Sequence, residues 1–411
     1  MKAIIIAVGD ELLSGTTVDT NSAYLAEALA LRGIETIAHR TVGDNARAIA
    51  DAIADAAEQA PVVLVSGGLG PTKDDLTRQA LARAMGCDLV PDEACLAEIE
   101  AFFARRGRQM AEVNRIQAMV PAGAEPLPNA FGTAPGLVGR VGEAAVFVMP
   151  GVPLEMRRMF ADAVGPRLPE SGLSIARRLL HTYGTGESDI GAMIADLMGE
   201  RDGAVTVGTT VSAGLVSVRI TARATEPDDA RRDADAILDD VRGRLGTLAV
   251  GTEGVTMAPA VGKLLAERGQ TLATAESCTG GMIGQMITDT PGASAYYLGG
   301  IVAYANEVKI DRLGVDAELL RAEGAVSERV AEAMALGCAG CFGSDWALSV
   351  TGIAGPEGGT EAKPVGLVYI GLAGEGRCAV HRHVFPPPRR QVRQRAATAA
   401  LNHLRLALLP R

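Results

Sequence analysis

Apolar residues near the start of the chain fall in short unbroken runs, Ala3–Val8 and Val62–Val65, separated by stretches whose apolar positions recur at helical spacing. The runs predict buried strands. Helices are predicted over Ser22–Leu31, stopped by Gly33, and over Ala46–Ala57, with Glu35–Thr41 extended between them. Strands that are apolar throughout and alternate with helices predict a parallel sheet covered on both faces. From about Ser171 the pattern changes to a short strand, a helix over Ser188–Met198, alternating strands around Val205–Val207 and Leu215–Thr221, and a charged helix over Asp228–Arg244. That is a small α+β unit. After a polar link at Gly251–Gly254, a helix over Ala258–Arg268 leads into strands near Thr271–Ala275, Ala347–Val350 and Gly366–Leu372, alternating with helices up to a last one over Gln391–Leu408. The 411 residues are read as three domains, 1–170, 171–252 and 253–411, all of the α/β or α+β type.

Composition narrows the functional classes. The apolar runs are far shorter than the ~18 residues needed to span a bilayer. Gly9-Asp10-Glu11 interrupts the run after Lys2 long before a signal peptide is complete, so a cytoplasmic location without a membrane partner is expected. A formal net charge of −10 disfavours a general nucleic-acid binder, which needs an electropositive face for phosphates. The six cysteines lack the spacing of a disulfide framework or zinc site, and Cys338-Ala-Gly-Cys341 reads as small apolar residues on a helix starting near Ser327. Lysine occurs only at positions 2, 73, 263, 309 and 363 in a chain that otherwise uses arginine. A partly buried lysine can lose its proton and act as a base, whereas arginine cannot.

Two polar, glycine-rich turns follow strand ends in the first domain, and ligands of parallel sheets bind at the carboxyl ends of the strands. The first runs Gly9–Gly15 and carries Asp10, with Asp19-Thr-Asn21 just beyond it. The second, Ser66–Asp75, carries Gly67, Gly68, Gly70, Lys73, Asp74 and Asp75. Glycines let the backbone approach a phosphate, and carboxylates in the same pocket can hold a divalent metal between phosphate oxygens. Alternatively, Asp74 and Asp75 only favour a helix start.

In the third domain Thr274-Ala-Glu-Ser-Cys-Thr-Gly-Gly281 sits between a strand and a helix over Met282–Ile287. Ser277 there is held at a sharp turn near free N–H groups of a helix start, an arrangement that can stabilise the oxyanion of an attacked carboxamide or cradle a phosphate. A plain helix cap with turn glycines at Gly280 and Gly281 is the alternative. No histidine lies near the motif, so activation of the serine by a lysine or tyrosine is expected; Tyr304 and Lys309 occur where a strand gives way to a helix. Cys278 is the rival nucleophile, without a visible cationic partner. A further glycine-rich loop follows a strand end at Thr351-Gly-Ile-Ala-Gly355-Pro-Glu-Gly-Gly359.

These three motifs, with Lys363-Pro-Val-Gly366, resemble the C-terminal domain of the CinA family, the nicotinamide-nucleotide amidases. The resemblance implies deamidation of nicotinamide mononucleotide without a cofactor. It implies Ser277 as nucleophile, Lys309 and Tyr304 as its activators, Thr351 as a substrate or oxyanion contact, and Arg390 or Arg393 on the substrate phosphate. Pro386-Pro-Pro-Arg-Arg390 departs from the family's usual Gly-Asp-Arg approach. The first domain, including Asn129–Gly136 and Met149–Met156, resembles the molybdopterin-binding fold in its CinA version. That implies an ADP-ribose pyrophosphatase dependent on Mg²⁺ or Co²⁺, with Asp10, Asp74 and Asp75 on metal or pyrophosphate, Lys73 on a phosphate, and Glu155 as a further candidate. A pterin ligand is the competing reading. The middle segment resembles the family's KH-type module, but Gly184-Thr-Gly-Glu-Ser188 lacks the GXXG spacing that clamps nucleic acid. A structural or dimerising spacer is expected, in a homodimer. The alternative for the whole chain is a DNA-uptake or recombination accessory protein that binds nucleic acid.

Overall fold

The structure, a computed structural model, describes residues 1–168, 172–201, 203–212 and 214–410. It divides into two compact units, Met1–Ala176 with Ala222–Arg232, and Arg177–Thr221 with Asp233–Arg411.

The first unit is built on a six-stranded sheet in the order Glu35–Val42, Lys2–Val8, Val62–Ser66, Ala144–Met149, Gly136–Val141, Glu125–Leu127. Period-two geometry sends Ile4, Ile6 and Val8 to a cluster with Ile49, Ile53 and Leu81, and Ala3 and Ile5 to one with Leu25, Leu29 and Phe160. Both faces of the strand are therefore covered. Each fully buried isoleucine stabilises by about 1.5–3 kcal/mol relative to exposure. The four strands at one side are parallel, as the apolar runs predict. The last two are antiparallel, which corrects the expectation of a wholly parallel sheet. Gly142, at φ 57°, and Glu143 join Val141 to Ala144, and a two-residue turn can only connect antiparallel neighbours. Val8 pairs with Val42, Ala7 with Ser66, and Ser66 with Met149. Four strand ends thus stop at one level, and the turns leaving them meet at one edge.

In the second unit the larger sheet runs Tyr297–Val302, Leu272–Glu276, Trp346–Gly352, Leu367–Gly374, Arg377–Val384. Its first three strands are parallel, its last two antiparallel. The smaller sheet runs Gly199–Arg201, Val205–Ser212, Leu215–Ala224, Ser174–Thr182, Ala249–Thr252. The helix expected over Ser188–Met198 is Glu187–Met193. Ile190, Ile194 and Leu197 are buried at helical spacing, but the last two lie in turns that lead to Gly199 at φ 88°. The last helix starts earlier than expected and spans Arg389–Leu408. On it, buried Arg405 donates to the carbonyls of Thr247 (2.6 Å) and Ala249 (3.0 Å) and to Asn402 Oδ1 (3.1 Å from Nε). His403 on the same helix stacks on His381 with centroids 3.6 Å apart, and its Nε2 lies 2.9 Å from His383 Nε2.

All six cysteines are free, including Cys338 and Cys341 on helix Glu328–Phe342. Among the described residues no helix is long and apolar enough to cross a membrane.

Candidate active sites

Strand Leu272–Glu276 delivers Ser277 to the end of the second unit's larger sheet, where its N–H donates to Val350 O at 2.9 Å. Ser277 is buried, and among the described residues its hydroxyl has no hydrogen-bond partner. Gly280 and Gly281 take φ of 60° and 91°, left-handed values that let the five residues 277–281 reverse direction into helix Met282–Thr288. The N–H groups of Ile283 and Gly284 are not free for an anion, as a bare helix start would leave them. They donate to the buried carboxylate of Glu276, at 3.1 and 2.9 Å. Burial pushes the Cys278 thiol up to about 12, so at neutral pH it is not a thiolate.

Lys309, on helix Asn306–Leu313, is 1% exposed. Its Nζ donates to Ala303 O (2.8 Å) and Tyr304 O (3.2 Å). Burial lowers its pKa, opposed by the nearby Cys278 and Glu307. The structure thus brings Lys309 within electrostatic reach of Cys278, in the turn that carries Ser277. Tyr304 itself is 62% exposed, and its hydroxyl accepts from Arg389 at 3.3 Å. Thr351 is buried and donates its one hydroxyl hydrogen to Ala325 O at 2.7 Å, so that hydrogen is directed at a loop carbonyl and not at an oxyanion. Gly355, at φ 78°, accepts from Arg389 Nη1 at 2.9 Å. Arg393 donates to Cys278 O (3.1 Å) and Thr279 O (2.6 Å), holding the turn that carries Ser277. Arg390 is exposed and makes no hydrogen bond among the described residues. Arg389 and Glu276 were not singled out from sequence. Arg389 follows the three prolines, and a helix start placed there would have found it.

In the first unit a cleft of about 380 Å³ lies at the carboxyl edge of the sheet, lined by Gly67, Gly68, Gly70, Glu11, Asp44, Asp74, Asp75 and Glu155 among others. Gly67 is obligatory: at φ 114° its missing Cβ would lie 2.3 Å from Val8 O. The two expected turns do converge, joined by a third that sequence reading missed, Gly43-Asp44-Asn45. Asp10 and Asp44 clasp each other: Asp10 N–H donates to Asp44 Oδ2 (3.0 Å) and Asp44 N–H to Asp10 Oδ1 (3.1 Å). Burial and the charges of Asp10, Glu11 and Asp74 raise the Asp44 pKa. The strand-end rule applied to Glu35–Val42 would have flagged Asp44.

Several expected residues have other duties. Asp75 accepts from Gly70 N (2.8 Å) and Thr72 N (2.9 Å), so its carboxylate closes the loop and is not free to ligate a metal. Beneath that loop the wholly buried Arg78 donates to Leu69 O and Gly70 O, both at 2.6 Å. Burial lowers its pKa to about 10, still charged at neutral pH. Asn21 is buried and ties Ser66 Oγ (2.9 Å) to Gly151 O (2.8 Å), a brace between strand ends. Lys73 is exposed and does not line the cleft. Asp74 is exposed and lines the cleft. Glu155 accepts from Asn129 Nδ2 at 2.7 Å. Among the described residues no three His, Cys, Asp or Glu side chains are grouped to hold a metal by themselves.

Residues 255–408 match the family model described as CinA C-terminal domain, 4–170 the "Probable molybdopterin binding domain" and 177–251 the "Damage-inducible protein CinA KH domain". A CinA-like protein of Synechocystis sp. is 44% identical over 99% of this chain and 99% of its own length. A CinA-like protein of Geobacter sulfurreducens is 44% identical over 100% of both. A crystal structure of "the protein CinA with unknown function" from Thermoplasma acidophilum is 36% identical, covers 41% of this chain and 98% of its own, and has a TM-score of 0.38.

Proposed function

The chain belongs to the CinA family, and we propose that its C-terminal domain is a serine amidase converting nicotinamide mononucleotide to nicotinic acid mononucleotide and ammonia. The observation that carries this reading is Lys309: a buried ammonium with a lowered pKa, beside a turn that presents Ser277. A neutral amine still has two hydrogens for Ala303 O and Tyr304 O. Its lone pair is then free to take the Ser277 proton as the hydroxyl attacks the carboxamide. The acyl-enzyme is opened by water after ammonia leaves. Arg389, which reaches both Gly355 and Tyr304, and exposed Arg390 would meet the substrate phosphate, while Arg393 holds the turn. Ammonia release from nicotinamide mononucleotide by the purified chain tests the reading, and none at any pH from 6 to 9 sinks it.

We further propose that the N-terminal cleft hydrolyses ADP-ribose with a divalent cation such as Mg²⁺ or Co²⁺. Glu11, Asp44, Asp74, Asp75 and Glu155 line the cleft and, among the described residues, no lysine or arginine does. A pyrophosphate would be repelled there unless a cation accompanied it. Such cations typically take one or two carboxylates and complete their shell with phosphate oxygens and water, so a preformed protein cage is not required. Asp44 lines the cleft and has one carboxylate oxygen outside its clasp with Asp10, and with Asp74 it fits that demand. The cation would neutralise the phosphates and polarise the scissile bond. Metal-dependent production of AMP from ADP-ribose supports this activity. Binding of a pterin without ADP-ribose hydrolysis would replace it.

A further inference from the structure

The geometry assigns Glu276 as the positioning residue of the nucleophile turn, a role that rests on the amidase reading and adds a residue to it. Glu276 is the last residue of its strand and is 2% exposed. Both carboxylate oxygens reach across the reversal to the first turn of the following helix, Oε2 accepting from Ile283 N and Oε1 from Gly284 N. One side chain therefore fixes the entry and the exit of the loop that holds Ser277.

The backbone of that loop shows what the clamp leaves available. Ser277 N–H donates to Val350 O, Gly280 N–H to Ser277 O, Met282 N–H to Thr279 O and Gln285 N–H to Gly281 O. With Ile283 and Gly284 capped, the N–H groups of Cys278, Thr279 and Gly281 have no hydrogen-bond partner among the described residues. Thr279 is wholly buried, so those of Cys278 and Gly281 are the donors left for a developing oxyanion. Hydrogen bonds of this kind work only when donors are fixed before the charge appears. Glutamate suits the task because both its oxygens accept. Glutamine would face one backbone N–H with its own amide hydrogens, and aspartate is one methylene short.

Three variants test the assignment. In Glu276→Gln the expected result is kcat for ammonia release lower by about 100-fold, the order that follows from a small misplacement of reacting groups, with KM within about threefold of wild type. Phosphonylation of Ser277 by a fluorophosphonate, followed by mass spectrometry, should slow by the same order. Glu276→Asp should fall between, and it serves if the glutamine variant does not fold. Thr271→Val removes the bond from the Thr271 hydroxyl to Asp345 Oδ2 (2.7 Å) at the opposite end of the same strand, away from the cap, and should keep near-normal kcat. Wild-type kcat and labelling in both Glu276 variants overturn the assignment, as does a loss in Thr271→Val equal to theirs. If wild-type Ser277 is labelled but nicotinamide mononucleotide yields no ammonia, the substrate reading falls and the labelling ratio still decides on Glu276. A wild-type chain that is neither labelled nor active overturns both.

Discussion

Lys309 Nζ donates to Ala303 O at 2.8 Å, so a helix residue is fastened to the segment leaving the neighbouring strand. Because burial lowers its pKa, the neutral amine is present at lower pH than for a free lysine. The kcat/KM profile for ammonia release should rise with pH through the Lys309 pKa and then level off. Lys309→Arg keeps the charge but cannot accept a proton, and should lose at least about 100-fold at every pH. Retained turnover in that variant would restrict Lys309 to an electrostatic role.

Ser277→Ala should abolish ammonia release while leaving nucleotide binding, followed by calorimetry, within a few-fold of wild type. Cys278→Ala should retain most activity, because a thiol pushed up to about 12 carries almost no thiolate at neutral pH. Loss of turnover in the cysteine variant alone would exchange the roles of the two neighbours.

Asp44 and Asp75 should separate cleanly. The Asp44 pKa is raised, so its charged form is disfavoured in the folded state, and above that pKa Asp44→Asn should match or exceed the wild-type melting temperature. Its metal-dependent ADP-ribose hydrolysis should fall at least about 10-fold. Asp75→Asn turns a donor toward the loop N–H groups of Gly70 and Thr72 and should cost about 1–3 kcal/mol of stability. Urea unfolding of both variants checks the contrast.

The parallel cores were legible because apolar runs such as Ile4-Ile5-Ile6 need cover on both faces, and only an α/β layering provides it. The hairpin ending in Ala144–Met149 was not, since its hand depends on a turn of two residues. At the sites, the residues on turns were readable from glycine and acid spacing. Arg78 and Glu276 were not, because their partners are backbone carbonyls and N–H groups whose directions exist only after folding. Asp75 misled for the same reason: a carboxylate beside a glycine loop looks alike in sequence whether it faces a cation or its own backbone.

The histidine group predicts an acid response. Burial, with the charges of His381 and His383, holds His403 down to about 3. Its unfolded value is about 6.5. The unfolded chain therefore binds the proton first, and stability is full above about pH 6.5 and is lost as pH falls toward 3, by up to about 1.4 kcal/mol per pH unit. Comparing unfolding midpoints at pH 7, 6 and 5, His403→Leu should show a shallower decline than wild type. Parallel declines would remove His403 from the account.

Arg405 bears on how the chain can be cut. Its guanidinium takes the carbonyls of Thr247 and Ala249 as partners, and both lie before residue 253, where a fragment carrying only the last domain would begin. Such a fragment would keep its sheet and every residue of the nucleophile turn, yet leave a buried cation facing the space its partners had filled. Poor expression or weak activity of that fragment would then report a severed anchor, and a fragment beginning ahead of Thr247 would be the fair comparison.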